Sequence, residues 1–159
     1  MDYEKLRNAY KPDTVKILFV GESRPQQGTF FYLENSNLFS YTKQAFENAK
    51  IDFSLSKFKE LGCWLYDVCD CPVNGCSETD RNKKIDEGIK DLTNTINQLK
   101  PEFIIVVKQG YFGKAVMQKI SENGYIKQKN ALNLPFPSCG HQHQYRDQLA
   151  QKLEQLIEH

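Results

Sequence analysis

Val15-Lys16-Ile17-Leu18-Phe19-Val20 has the composition of a buried strand, and it stops abruptly at Gly21-Glu22-Ser23-Arg24-Pro25, followed by Gly28-Thr29-Phe30-Phe31-Tyr32. An apolar strand that ends at Gly and Pro and continues into polar and aromatic loop residues is how an α/β domain sets a binding site at the carboxyl edge of its sheet. This stretch predicts both a fold class and the edge at which function is to be sought.

The segments on either side extend the pattern. Asn37-Leu38-Phe39, then Tyr41, Ala45, Phe46 and Ala49, recur at helical spacing behind Asn35 or Ser36 as a cap. Ser54 to Leu61 predicts a short helix with Leu55, Phe58 and Leu61 on one face, ended by Gly62. A second strand, Cys63 to Cys69, runs into a loop from Asp70 to about Arg81 that contains Pro72, Asn74 and Gly75. Ile85, Ile89, Leu92, Ile96 and Leu99 form the apolar stripe of a helix that stops before Pro101. Phe103 to Val107 is a third strand, Gly110 to Ile120 a helix, Ala131 to Leu134 a last strand and Tyr145 to Ile157 a closing helix. Strands alternating with helices predict an α/β three-layer sandwich around a central four-stranded, mainly parallel sheet. No repeat, low-complexity tract or linker divides the chain, so residues 1–159 are read as a single domain.

Composition excludes several function classes. Lys and Arg number 21 against 20 Asp and Glu, a formal charge of +1, so no global field draws the chain to nucleic acid or to an anionic membrane, and any such contact is local. The start, Met1-Asp2-Tyr3-Glu4-Lys5-Leu6, is too polar for a signal peptide, and no apolar run is long enough to span a bilayer. The expectation is a cytoplasmic protein with no membrane partner. Five unevenly placed cysteines do not make a disulfide framework and are expected to remain thiols.

The ordered motifs carry a resemblance. Gly21-Glu22-Ser23-Arg24-Pro25, Gly28-Thr29-Phe30-Phe31-Tyr32, Asn35-Ser36-Asn37-Leu38-Phe39, Cys71-Pro72-Val73-Asn74-Gly75, Leu99-Lys100-Pro101 before an apolar strand, and Leu134-Pro135-Phe136-Pro137-Ser138 before the last helix follow one another along almost the whole chain. In order and spacing this resembles the uracil-DNA glycosylase superfamily. The resemblance implies a glycosylase-like domain that hydrolyses the N-glycosidic bond of a deaminated or damaged, uracil-like base flipped out of DNA, as in base excision repair. It implies no cofactor, single- or double-stranded DNA as partner, and action as a monomer.

Such chemistry has specific needs. Breaking the bond builds positive charge on the sugar and negative charge on the departing base, which calls for an acceptor to position water and donors to hold the base anion. The base must first leave the stack, a cost partly offset by an aromatic ring and by hydrogen bonds to its edge. By position the resemblance assigns Gly21 and Phe31 to the base pocket, with Phe30 and Tyr32 as neighbours one register away; the other reading of these rings is core packing. Asp67 stands about where the family reads the base edge with Asn. An ionised Asp accepts only and prefers a donor-rich edge, or must be protonated; the other reading is an Asp of an edge strand facing water.

The two catalytic motifs depart from the family pattern. Glu22 is the first candidate for orienting water, beside Ser23, and Gln26 or Gln27 are alternatives; the Pro comes one residue late. Phe136, assigned with Gly21, Phe31 and Asp67 to the base pocket, occupies the place where the family commonly has a His that stabilises the leaving oxygen, and an aromatic ring cannot donate that bond. His141 and His143, a few residues downstream, are the candidate substitutes; the other reading is ordinary loop histidines. Gln109, Ser138, Arg81 and Lys83 are assigned to the DNA backbone, the other reading being a solvated surface of mixed charge. These departures keep open a non-catalytic nucleic-acid or nucleotide-binding protein on the same fold, or an unrelated doubly wound domain.

Some relatives hold an iron–sulfur cluster with cysteines near the amino terminus, but no Cys precedes Cys63, which excludes that arrangement. Cys69, Cys71 and Cys76 in one loop, with Cys139, His141 and His143 in another, raise a zinc alternative, although their spacings are not those of common fingers. The expected site contains no metal.

Overall fold

The structure, a computed structural model, describes residues 1–26, 28–124 and 126–157. Four strands, β1 (Ile17–Gly21), β2 (Cys63–Asp67), β3 (Phe103–Val106) and β4 (Ala131–Asn133), form one sheet in the order β2-β1-β3-β4. Every pairing is parallel, with Gly21 beside Asp67 at the carboxyl end of β1 and β2. Parallel neighbours require crossovers, and the helices that supply them are α2 (Asn37–Asn48) and α3 (Leu55–Glu60), α4 (Glu78–Leu99) and α5 (Gly110–Glu122); α1 (Tyr3–Ala9) and α6 (Gln142–Leu156) lie outside the crossovers. The expected α/β architecture with helices on both faces is the one observed.

The apolar runs explain the centre of the sheet. Leu18, Phe19 and Val20 of β1 and Ile104, Ile105 and Val106 of β3 have no solvent exposure, as strands covered on both faces require. Phe19 meets Phe58 of α3 with ring centroids 5.4 Å apart, and Phe58 meets Phe46 of α2 at 5.9 Å. On this face α2 packs along α6, where the Thr42 and Tyr145 hydroxyls share a buried hydrogen bond of 2.7 Å; α4 packs on α5.

Caps set the helix starts. Ser36 Oγ accepts from the Phe39 N–H at 3.1 Å and Ser54 Oγ from the Lys57 N–H at 3.0 Å, each satisfying an otherwise unpaired amide. Gly62, at φ +79°, ends α3 in the left-handed conformation that glycine adopts without strain.

Two elements depart from the sequence expectation. α4 begins at Glu78 rather than near Ile85, capped by Ser77, whose Oγ accepts from the Asp80 N–H at 3.2 Å. Its first turns carry no apolar stripe, so periodicity missed them, while Ser77 with Glu78 and Asp80 in the first turn was the readable start signal. The polar amino terminus forms α1, capped by Asp2 through the Lys5 N–H at 3.0 Å.

α1 and the 3-10 turn Phe31–Leu33 cover the free edge of β2. Trp64 Nε1 donates to the Arg7 carbonyl at 3.1 Å, and the Tyr32 hydroxyl accepts from the Leu65 N–H at 2.7 Å while donating to the Leu65 carbonyl at 3.1 Å. An edge strand otherwise presents its backbone N–H and C=O groups, here those of Leu65, to other chains. Among the described residues no helix is long and apolar enough to cross a membrane.

Candidate functional site

The carboxyl ends of β1, β2 and β3 open onto a cleft of about 340 Å³. Gly21, Glu22, Ser23 and Pro25 enter it from the end of β1, Asp67 from the end of β2, and Val107 and Lys108 from the end of β3. Leu38 of α2, Asn74 from the loop before α4, Arg81 from the first turn of α4, and Phe136 and Ser138 after β4 complete the wall. Each strand stops at this edge because its apolar run ends there, so the residues immediately following are the ones delivered to the cleft.

Glu22 is the electrostatic centre. Its side chain is only 7% exposed, yet its carboxylate accepts from Lys108 Nζ at 2.8 Å and from Arg81, whose Nε lies 3.1 Å away and whose Nη2 adds a further contact. Burial alone pushes the carboxyl upward, but the hydrogen bonds and charges of Arg81 and Lys108 outweigh it and hold Glu22 below the usual carboxylate range. Glu22 is therefore ionised at neutral pH, a hydrogen-bond acceptor rather than a strong proton acceptor. Two cations against one anion leave this corner of the cleft net positive.

Ser23 stands beside it. Its Oγ is buried with no hydrogen-bond partner among the described residues. A buried hydroxyl in that state keeps its donor and acceptor capacity unused at the cleft wall.

Gly21 and Asp67 form a second, tighter arrangement. A β-carbon on Gly21 would stand 2.5 Å from Asp67 Oδ1, so only glycine leaves room for the carboxylate. Asp67 Oδ2 accepts from Arg7 Nη2 at 2.9 Å, both side chains being 7% exposed. Burial pushes the Asp67 carboxyl above its usual range, against the opposing pull of Arg7. Arg7 is itself fixed, with Nη1 on Glu4 and its guanidinium 5.2 Å from the Phe30 ring centroid.

Of the residues singled out from sequence, Gly21, Glu22, Ser23, Asp67, Arg81, Phe136 and Ser138 come together in this one cleft. Others do not. Phe31 is corrected to a core residue: it is 3% exposed and packs on Tyr32, Phe39 and Phe58 at 5.1, 5.6 and 5.3 Å. Its neighbours fare likewise, since Phe30 packs edge-on against Tyr3 and Tyr32 is committed to Leu65. The aromatic ring that does line the cleft is Phe136.

His141 and His143 are exposed at the start of α6 and do not line the cleft, so they do not stand in for the missing histidine there. Lys83 is exposed on α4 outside the cleft, and Gln109 is an exposed residue whose Nε2 donates to the Asn133 carbonyl at 3.2 Å. Arg81 reaches the cleft but spends its guanidinium on Glu22 rather than facing outward. Asp67, assigned to base reading, does line the cleft, and the alternative of an edge-strand Asp facing water does not hold, because it is a buried ion pair with Arg7. Gln26 is exposed outside the cleft, and Gln27 lies outside the described residues.

The sequence carries no signal that makes Arg7 a partner of the site or that links Lys108 to Glu22. Nothing local announces either contact, because the partners are 60 and 86 residues away. Among the described residues no three His, Cys, Asp or Glu side chains group as metal ligands, so the two Cys/His loops do not assemble the zinc alternative there. The Cys69 thiol, pushed up to about 12 by burial and by the negative charge of Glu22, is not a nucleophile at neutral pH.

No protein-family model matches the chain, and no curated protein matches it.

Proposed function

We propose that the cleft receives a base extruded from DNA and that the chain is a DNA glycosylase resembling the uracil-DNA glycosylase superfamily, acting as a monomer in the cytoplasm without a cofactor. The observation that carries this reading is convergence. The motif after β1 (Gly21, Glu22, Ser23), the end of β2 (Asp67) and the motif after β4 (Phe136, Ser138) are far apart in the chain and line one cleft of about 340 Å³. They are the segments in which the resemblance locates water activation, base reading and leaving-group contact. A size at the small end of ligand pockets fits one nucleotide unit.

In this reading the ring of Phe136, with Leu38 and Val107, supplies the apolar surface against which the base lies. Glu22, ionised and held by two cations, accepts from a water and faces the positive charge that develops on the sugar. The bond between C1′ and the base nitrogen breaks with its electron pair leaving on the base, the water oxygen bonds to C1′, and its proton ends on the base. Lys108 and Arg81 supply the positive field in which negative charge on the base develops.

A second reading, a nucleic-acid or nucleotide-binding protein that does not cleave, is favoured by one observation. Phe136 is at the position where the family donates to the leaving oxygen, and neither His141 nor His143 lines the cleft.

The test is base release from single- and double-stranded oligonucleotides carrying uracil, hypoxanthine, xanthine or oxidised pyrimidines, read as alkali-labile abasic sites beside a binding assay on the same strands. Release that is lost in Glu22→Gln supports the glycosylase. Binding without release selects the second reading, and absence of both leaves only the fold.

A further inference from the structure

Asp67 divides its two oxygens between the protein and the cleft. Oδ2 is held by Arg7 Nη2 at 2.9 Å, while no donor among the described residues reaches Oδ1. Oδ1 lies over Gly21, within 2.5 Å of where a β-carbon would stand, and Gly21 and Asp67 both line the cleft. Arg7 cannot readily follow a ligand, because Glu4 holds its Nη1 and the Phe30 ring lies against its guanidinium. A ligand in the cleft therefore meets one acceptor oxygen of a carboxylate anchored from behind.

Burial pushes the Asp67 carboxyl up, but the Arg7 guanidinium 2.9 Å from Oδ2 pairs with its anionic form, and an ionised carboxylate oxygen accepts hydrogen bonds and donates none. Against the edge of a base it matches an exocyclic amino group and is repelled by a carbonyl oxygen in the same place. Cytosine and uracil differ in this way at C4, and adenine and hypoxanthine at C6. The imide N–H of uracil is no equivalent partner, since it is flanked by two carbonyls and a carboxylate reaching it comes up against an oxygen. Resting on the reading of the cleft as a base pocket, we infer that Asp67 makes the pocket select a base with an exocyclic amino group over its deaminated, carbonyl-bearing counterpart, and that Arg7 is the positioning residue that fixes Asp67. The preferred substrate is then a damaged or modified amino base rather than uracil.

The experiment is an NMR titration of the full chain with 1-methylcytosine against 1-methyluracil, and with 9-methyladenine against 9-methylhypoxanthine, the methyl group standing for the glycosidic bond. The amino member of at least one pair is expected to bind about tenfold more tightly, the scale of one good edge contact. Asp67→Asn, whose amide turns its N–H toward a carbonyl, is expected to erase or reverse that preference. Arg7→Lys is expected to shrink the ratio between the two members rather than weaken both equally, which a purely structural role would not do. Should Asp67→Asn fail to fold, Gly21→Ala serves, because its β-carbon displaces Oδ1 and removes the preference.

Equal binding within both pairs, a preference for the carbonyl member, or a preference unchanged in the variants overturns the inference and leaves the base pocket standing. Absence of binding by all four bases overturns the inference and the base pocket together.

Discussion

Glu22 and Lys108, 86 residues apart in sequence, meet at 2.8 Å across the carboxyl ends of β1 and β3, and Arg81 closes on the same carboxylate from α4. The contact ties together two neighbouring strand ends and the start of a helix. It also decides what a buried charge of the cleft does.

Lys108→Met leaves Glu22 buried with Arg81 as its remaining cation. Because Lys108 is 32% exposed and one cation stays, the expected cost is about 1–2 kcal/mol, less than for a fully broken buried pair. Glu22→Gln in the same background should recover part of it, and a double-mutant cycle in urea measures the coupling. A coupling of zero would show that the pair contributes no stability.

The same carboxylate gives a pH dependence. Its folded value lies below the ordinary 4.5, so the unfolded chain takes up a proton there first as pH falls. The stabilisation is complete above that ordinary value and is lost as pH drops through the folded one. Urea midpoints recorded between about pH 3 and pH 7 should fall on the acid side more steeply in the wild type than in Glu22→Gln. Parallel curves would mean that Glu22 is not held below its usual range.

Tyr32→Phe removes the hydroxyl that both accepts from and donates to Leu65 on the free edge of β2. Burial pushes this phenol far above its usual range, so it serves as a neutral donor at any working pH. The expected loss is about 1–3 kcal/mol, with faster amide exchange at Leu65 as the local signature. Unchanged exchange at Leu65 would show that another group covers the edge.

Ser77→Ala uncaps α4 at the end that carries Arg81, whose amide donates to the Ser77 carbonyl at 2.8 Å. A loss of about 1 kcal/mol is expected, with amide exchange rising over residues 78–84 but not in the second half of the helix. Uniform exchange along the whole helix would place its nucleus elsewhere.

The legible parts of this chain are those in which one physical force acts locally. Apolar runs ending at Gly21, at Asp67 and before Lys108 announce buried strands, and the rule that α/β sites lie beyond strand ends carries Glu22, Ser23, Asp67 and Ser138 to the cleft. Direction within a loop is not encoded that way. Phe30, Phe31 and Tyr32 are three consecutive aromatics without periodicity, and which of them faces a site depends on the 3-10 turn that turns them all toward other aromatic rings and β2. Charged residues are read as surface by default, which hid Arg7 on Asp67 and turned Arg81 outward. His141 and His143 looked near the site because the motif before them is, but the chain has already turned into α6.

Phe31 and Phe136 separate core from site most directly. Phe31 is 3% exposed among Tyr32, Phe39 and Phe58, so Phe31→Ala should cost about 3–5 kcal/mol while leaving base binding by the folded protein intact. Phe136 is half-buried and lines the cleft, so Phe136→Ala should cost far less stability but lose the stacking surface, a weakening of about 1–3 kcal/mol in base affinity. Urea unfolding and the same methylated-base titration, run on both variants, read the two effects independently. If Phe31→Ala abolished binding at wild-type stability, the stacking role would return to Phe31; if Phe136→Ala bound as the wild type does, the ring in the cleft would not be what holds the base.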